Sequence, residues 1–562
     1  MIFMQTHSDY SNWFIRFKKS EEYKIFAEHP VAYFCAEYAL DSSLPIYAGG
    51  LGVLAGDFVR ETAQQKFPLV AVGLFYKKAQ STLSSEDEKK KKNIQPMLDK
   101  DNREIIVSLP IEDRIVSIKA WRWSEGSTSV YLLDADVPEN DPRDRTLTHS
   151  LYDENRDVRL KQEIILGIGG FRLLARLGYH ASVYHLNEGH SAFLALELVR
   201  HEMEHQRVGF DEACGYAKKH ILFTNHTLVP EGQEQFASER IVLFMAKYAE
   251  EMGIKGEDIA QLGTLANNPN VFSMTNLSFR LSTKTSAVSK FHAEKAKDVW
   301  PEHPMESITN GIFVKRWEKT GGWIKTSLYR SHLKNKKKLL ALVKKYEMID
   351  WKDTDLILVW ARRMVEYKRP LLLLEDTDRL LKIIKNSPVP VRLVFSGPTG
   401  EQENIFVVKV KQIIEEKLKN IAVFVPNYST EIAEILTAGA DVWLNTPIPG
   451  TEACGTSGMK AGVNGVPSLS TKDGWVHEVD AMHIGWVAES STREEIFSLL
   501  EKNIIPLYCD HLKKVSGSAW AEKMKTVRNM ILGDFSTSRV LREYIEKLYI
   551  PVMRQKHTHR VD

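Results

Sequence analysis

Cysteine is scarce in this chain: Cys35, Cys214, Cys454 and Cys509 are the only four among 562 residues. They are scattered with no C-x-x-C pair, so they offer no zinc framework, and the usage suits a reducing compartment. Long apolar runs are missing as well. Stretches such as LVAVGLF are strand-length, well short of the ~20 apolar residues that span a bilayer. The opening MIFMQTHSDYSNW lacks the apolar run of a signal peptide. A cytoplasmic protein without a membrane anchor is the expectation. Charge of one sign is not in excess either. Lys+Arg number 75 and Asp+Glu 73, and the net +2 gives no mandate for nucleic acid. The lysine run Lys89–Lys92 follows Glu86, Asp87 and Glu88 and reads as a solvated loop; Lys336–Lys338, in a helix-like stretch, is expected to face water. No short repeat or low-complexity segment is present.

What the chain does have is apolar content, 43% of its residues, in a length too great for one ordinary core, so two large domains are expected. Val31–Tyr38, Val70–Phe75, Val183–Leu186 and Leu222–Asn225 read as buried strands, with helices over Arg159–Leu177 and Ser191–Glu204. Ile105–Pro110, Ile115–Trp123 and Ser129–Asp134 read as antiparallel, like an insertion on the sheet. The alternation restarts after position 350: LILVWARR (Leu356–Arg363), a helical LLLLEDTDRLLKIIK, VRLVFSG, a helix across Gln402–Lys417, IAVFVPNY, a helix from Thr430, then VWLN. Alternating strand and helix implies parallel sheets covered on both faces, and two such runs imply an α/β protein of two Rossmann-like domains. Ligands of such folds bind at the carboxyl ends of the strands, which makes a deep cleft between the domains the expected active site. The segment Trp323–Tyr346 reads as the junction.

Five motifs could carry chemistry. In GTEACGTSGMKAGVNG (Gly450–Gly465), small residues open a helix after a strand, where N–H groups can accept an anion. Lys460 lies in the first turn, a poor place for a free cation and a better one for a lysine that meets an anion or carries a Schiff base. An ordinary strand–turn–helix capped by Thr456 or Ser457 fits the spacing equally well. Glu452 could bind sugar hydroxyls or be a loop carboxylate. WARRMVEYKRP (Trp360–Pro370) places Arg362, Arg363, Lys368 and Arg369 at a strand end, a set suited to phosphate but also to a solvated helix start. FTNHTLVPEGQEQF puts His226 in a polar turn, where a structural role is common. HLNEGHSAF carries Glu188 and His190, and His190 lacks an i+4 partner on its helix, so no metal is expected. LPIYAGGLGVLAGD has Gly49, Gly50, Gly52 and Gly56, whose spacing departs from a dinucleotide fingerprint.

In this order the motifs resemble the glycogen/starch phosphorylase family, in its short microbial form. The resemblance runs from AYFCAEYALDSSLPIYAGGLGVLAGD through LKQEIILGIGGFR, NEGHSAF, TNHTLVP, ITNGIFVKRW, RRMVEYKRP and EACGTSGMK to FSTSRVLREYIEKLYIP, most of the chain. It implies a glycosyltransferase-B fold, with an N-terminal glucan-binding domain over 1–320 that carries the β insertion. A cofactor and phosphate domain over 321–530 and a C-terminal helix over 531–562 that packs back on the first complete it. It implies an enzyme of carbohydrate metabolism that uses inorganic phosphate and pyridoxal 5′-phosphate to release glucose 1-phosphate from α-1,4-glucan with retention. By resemblance, Lys460 forms the Schiff base, Thr456 and Ser457 with Lys368, Arg362 and Arg363 hold the cofactor and substrate phosphates, and Tyr428 and Tyr367 line the cofactor pocket. Glu452, Gly455 and Asn310 contact the sugar, Asn310 from the other domain. His226 binds the glucosyl unit, Gly50 and Leu51 sit over the phosphate, and Glu37, Glu188 and His190 belong to the same cleft. A homodimer is compatible with the resemblance; phosphorylation control and nucleotide activation are not expected.

The chain departs from animal relatives at Val365, where they carry histidine, at Ser429, where they carry arginine, and in the Gly397–Asn404 loop. Two other readings compete. A retaining nucleotide-sugar transferase of the same architecture carries an E-x7-E motif; here Glu452 fills its first position and Lys460 its second. A catalytically inactive glucan-binding protein is the other.

Overall fold

The computed structural model describes residues 2–41, 43–78, 94–228, 233–321, 328–398, 404–515 and 517–557. The lysine run at 89–92, residues 323–327 of the expected junction and residues 399–403 of the Gly397–Asn404 loop lie outside them. The chain forms two compact units: the first comprises Tyr10–Val288, Ala293–Ile308 and Leu541–Asp562, the second Met1–Asp9, Ser289–His292 and Thr309–Val540.

In the first unit the apolar runs become strands β1 (Val31–Phe34), β2 (Leu69–Leu74), β3 (Ile94–Pro96), β4 (Val107–Ile111), β5 (Arg114–Glu125), β6 (Thr128–Asp134), β7 (Val183–Asn187) and β8 (Ile221–Asn225). After β9 (Gln235–Ala237), β10 (Thr264–Leu265) and β11 (Asn268–Ser273), which make a small separate sheet, come β12 (Lys284–Ala287) and β13 (Glu306–Ser307). The main sheet has the order β13-β12-β8-β7-β1-β2-β6-β5-β3, with β4 paired to β5. Every residue of β1, β2, β7 and β8 is buried, the signature of parallel strands covered on both faces. β3, β4 and β5 pair antiparallel, and β6 joins β5 antiparallel while running parallel to β2, so the expected insertion is an extension of the sheet.

Helices follow the sequence reading with shifted bounds: the one expected over Ser191–Glu204 runs Leu194–Gln206, with Ser191 in the preceding 3₁₀ turn. The helix expected from Arg159 runs from Arg156 and carries a π-turn over Ile165–Gly169. Closing the far side, Tyr549 donates or accepts at His185 Nδ1 over 2.8 Å, and the rings of Tyr544 and Tyr549 pack on Phe58 and Phe67. The helical segment Leu541–Met553 thus completes the core of a unit whose strands all lie far earlier in the chain.

The second unit holds β14 (Leu356–Ala361), β15 (Val391–Ser396), β16 (Ala422–Val425), β17 (Val442–Asn445), β18 (Ser468–Thr471) and β19 (Gly485–Ala488), all parallel, in the order β16-β15-β14-β17-β18-β19. Counted from β14, this is the doubly wound order 3-2-1-4-5-6, which opens a ligand crevice where the winding reverses, between β14 and β17. The LLLLED stretch is not helical as expected: Asp376 caps a helix that begins only at Thr377, accepting from the Arg379 N–H at 2.9 Å. Lys336 is a second correction. It does not face water but is fully buried in helix Leu328–Glu347, with Nζ 2.5 Å from Asp441 Oδ2 and 2.9 Å from the Tyr508 hydroxyl. Lys337 and Lys338 remain exposed.

Candidate active site

The switch point of the second unit fixes which side chains meet. Arg362 leaves the end of β14, and its guanidinium donates to Asn445 at the end of β17 and to Glu452 in the loop beyond. Lys368, in a short 3₁₀ turn, brings Nζ to 2.5 Å from the same Glu452 oxygen. A guanidinium and a lysine amine therefore share one buried carboxylate. Burial alone would raise the Glu452 carboxyl, but Arg362 and Lys368 outweigh it and hold it well below the usual carboxylate range. Burial first, then Arg362, pushes the Lys368 ammonium down to about 7, against the pull of Glu452.

Gly455 makes the cluster possible: a Cβ there would stand 2.6 Å from Arg362 Nη2 and run into the Glu452 carboxylate. The loop is held by Asp473, which sequence reading did not single out. Its carboxylate accepts the N–H groups of Gly450 (3.1 Å), Glu452 (2.9 Å) and Gly474 (2.8 Å). Burial, then the Glu452 charge, lifts Asp473 to about 6. Arg369, part of the expected phosphate patch, is instead a clamp: it adopts φ 50° and donates to the carbonyls of Thr446, Ser491 and Pro447 at 2.8–3.0 Å. Arg363 donates to the Tyr367 hydroxyl at 3.0 Å.

Helix Ser457–Gly462 follows, with Thr456 at its cap position and no side-chain cap bond. The Ser457 hydroxyl accepts from Trp443 Nε1 at 3.3 Å. Lys460 is buried, its Nζ 4.4 Å from the centre of the Trp317 ring. Asn310 belongs to this same unit rather than to the other one; it donates to the Cys454 carbonyl at 3.3 Å, and Thr309 beside it donates to Glu478 at 2.8 Å. The reason is that the chain leaves the first unit's sheet just after β13. Tyr428 packs against the core cluster of this unit, and Ser429 caps the helix Thr430–Gly439 by accepting the Ile432 N–H at 3.3 Å. Val365 occupies extended backbone before the Lys368 turn, and its carbonyl accepts the Lys368 N–H at 3.1 Å.

The first unit has its own switch point, between β1 and β7, and the remaining sequence-predicted residues follow these strands or β8. Glu37 is buried; Oε2 accepts the N–H groups of Ala48 (2.6 Å) and Gly49 (3.0 Å), while Oε1 accepts from the Tyr152 hydroxyl at 2.9 Å. It thereby latches the loop that leads into helix Gly50–Gln65, at whose start Gly50 is exposed and Leu51 half-buried. Gly52 permits that latch, since a Cβ there would lie 2.8 Å from Glu37 Oε2. Glu188, at φ 72°, accepts from the N–H groups of Gly189 (3.2 Å) and His226 (2.9 Å) and from the Thr227 hydroxyl (3.3 Å). Burial lifts its carboxyl to about 7 despite these bonds. His226 Nε2 lies 2.7 Å from Asn187 Oδ1, an orienting partner that sequence reading missed. His190 stands apart from this pair, buried, and burial lowers its imidazole to about 4.

No helix among the described residues is long and apolar enough to cross a membrane. The chain matches the carbohydrate phosphorylase family over residues 173–322 and 319–557. It is 35% identical to a maltodextrin phosphorylase of Thermococcus litoralis over 93% of this chain and 70% of that one. It is 30% identical to a glycogen phosphorylase of Aquifex aeolicus over 99% of this chain and 90% of the relative. A glycogen phosphorylase of Mycobacterium tuberculosis is 27% identical, with 93% of this chain and 71% of the relative covered. With a mixed, largely parallel sheet in the first unit, an all-parallel one in the second and a family match over most of its length, the chain belongs to the carbohydrate phosphorylase family.

Proposed function

We propose that the chain phosphorolyses the non-reducing ends of an α-1,4-glucan, releasing α-D-glucose 1-phosphate with retention, and that pyridoxal 5′-phosphate is its cofactor. One observation carries the reading above the nucleotide-sugar alternative: a buried lysine, Lys460, stands eight residues after Glu452, where that class carries its second glutamate. The residues fit the cofactor chemically. A buried amine, a helix start with no side-chain cap and a cluster with a guanidinium and a lysine amine on one carboxylate suit an aldehyde that bears a phosphate.

In this reading Lys460 holds the cofactor, with Thr456, Ser457, Tyr428, Tyr367 and Arg362 around it. Bound pyridoxal phosphate supplies a phosphate group through which a proton can pass to and from the substrate phosphate. Lys368 and Arg363 hold the phosphates, whose mutual repulsion would be severe without cations beside them. Glu452, Gly455 and Asn310 bind sugar hydroxyls, and Gly50, Leu51, Glu37 and Glu188 serve the same substrate. His226, oriented by Asn187, binds the glucosyl unit, and its carbonyl faces the positive charge that develops at the anomeric carbon. As that carbon parts from the glycosidic oxygen, the oxygen takes a proton from the substrate phosphate, and an oxygen of that phosphate forms the new bond to the anomeric carbon. A cytoplasmic location and a homodimer accord with this reading.

The direct test is to incubate the cofactor-loaded chain with maltodextrin and inorganic phosphate and to assay glucose 1-phosphate. Release that requires both is expected; glucosyl transfer from a nucleotide sugar with no phosphorolysis would replace the reading.

Lys368 offers a separate check. Its ammonium is depressed to about 7 because burial and Arg362 disfavour the charge, so an arriving anion restores the proton. Inorganic phosphate binding to the cofactor-free chain at pH 8 is expected to take up as much as about one proton, by linkage. Calorimetry in buffers of different ionisation enthalpy reads this directly, and Lys368→Gln should abolish it. Heats that do not depend on the buffer in the parent chain would remove Lys368 from this role.

A further inference from the structure

Away from the Glu452 cluster, three metal-ligating side chains converge in the first unit. Donor atoms of Glu163, His190 and Glu234 all lie within 4.8 Å of one another. Glu163 comes from helix Arg156–Ile164, His190 from the 3₁₀ turn after β7, and Glu234 from the segment entering β9. Two of them border a small cavity, together with Tyr152, Arg159 and Gln162.

A cluster of acids alone would say little. Here Glu163 Oε2 and His190 Nδ1 are buried with no hydrogen-bond partner, and leaving such an atom unsatisfied carries its full desolvation penalty. The neighbours do not relieve them. Gln162 donates to the carbonyls of Leu147 and Ser150, Tyr152 donates to Glu37, and Arg159 pairs with Glu234. Glu163 Oε2 and His190 Nδ1 are therefore left without partners beside Glu234, whose carboxylate already meets Arg156 and Arg159, and the donor atoms lie close enough together to share one ion. A cation satisfies both orphaned atoms at once.

We propose that Glu163, His190 and Glu234 bind one borderline transition cation, Zn²⁺ or Co²⁺, which ties the helix, the turn after β7 and the entry to β9 together. The chemistry selects the ion class. Arg156 and Arg159 both pair with Glu234 and oppose a dication, so the ion must gain from its bond to imidazole, as Zn²⁺ and Co²⁺ do and Mg²⁺ and Ca²⁺ do not. Ligand bonds of about 2.0–2.2 Å require the donors to close in modestly from their present spacing.

The test uses the full chain carrying His201→Ala and His205→Ala. That imidazole pair, half-buried His201 and exposed His205 with ring centres 4.1 Å apart on one helix, would bind the same ions independently. Titration with Co²⁺, followed by visible absorption, is expected to saturate at one ion per chain and to raise the thermal midpoint. Glu163→Gln in that background should weaken binding by about 100-fold or more, beyond the usual loss from removing a supporting partner, and cancel the thermal shift. No Co²⁺ binding in the background, or unchanged binding by a Glu163→Gln chain with native circular dichroism, overturns the site. Should that variant not fold, His190→Gln takes its place with the same two readings.

Discussion

Lys460→Ala is expected to give a folded chain that retains no pyridoxal phosphate and whose phosphorolysis falls by about 10⁴-fold or more, the scale seen when a group essential to the chemistry is removed. The fold should survive for a physical reason. Lys460 contributes its alkyl stem and a cation–π contact with Trp317, while the helix around it is held by backbone bonds and by Asn464, whose amide donates to the Trp317 and Lys460 carbonyls. Alanine also favours helix. The measurement is an absorbance spectrum before and after borohydride, with peptide mapping of the reduced adduct in the parent. An adduct on Lys460 in the parent and none in the variant is the expected pair of results. Substantial turnover by the variant would overturn the assignment, and a parent that never retains cofactor would move the reading to the synthase-like or inactive alternative.

The largest effect on stability is expected at Asp441. Its Oδ2 accepts from Lys336 Nζ at 2.5 Å and from the Ile357 N–H at 2.8 Å, and Oδ1 faces His332 Nε2 at 2.9 Å. Both Asp441 and Lys336 are essentially inaccessible to solvent. Asp441→Asn leaves the Lys336 ammonium uncompensated in the core, a change that costs about 3–5 kcal/mol and lowers the thermal midpoint by about 10 °C for a unit of this size. Lys336→Met in the same background should recover much of the loss, because removing both charges is far milder than stranding one. A midpoint unchanged in Asp441→Asn would show that the pair carries no such load. The pH dependence has a definite sign. Burial raises the Asp441 carboxyl, but Lys336 and His332 outweigh it and the net shift is downward. Its contribution is therefore fully present above the ordinary carboxylate range and is lost as acid protonates the folded state.

The fold was legible because parallel strands buried on both faces leave unbroken β-branched runs, and VAYF, LVAVGL and LILVWA all show them. Motif residues at strand ends were legible for the same reason: a doubly wound sheet sends them to its carboxyl edge, as it does Arg362 and Glu188. What sequence did not disclose were partners distant along the chain. Asp473 holds the Glu452 loop from 21 residues away, and Glu163 and Glu234 flank His190 from opposite directions. Lys336 looks like one of three equivalent lysines, and only its helical phase against a remote aspartate separates it from its neighbours. Arg369 looked like a phosphate ligand because a guanidinium suits carbonyl oxygens as readily as phosphate.

The tyrosines that close the first unit have a consequence for the order of synthesis. Tyr544 and Tyr549 reach His185, Phe58 and Phe67 from beyond the whole of the second unit. On the ribosome the early sheet must wait, with those aromatic positions uncovered, until more than two hundred further residues have emerged. The intervening unit, Thr309–Val540, is continuous apart from short contributions and has no such wait. Translation therefore favours completing the later-encoded unit first, and the nascent earlier one is the form most in need of protection from aggregation.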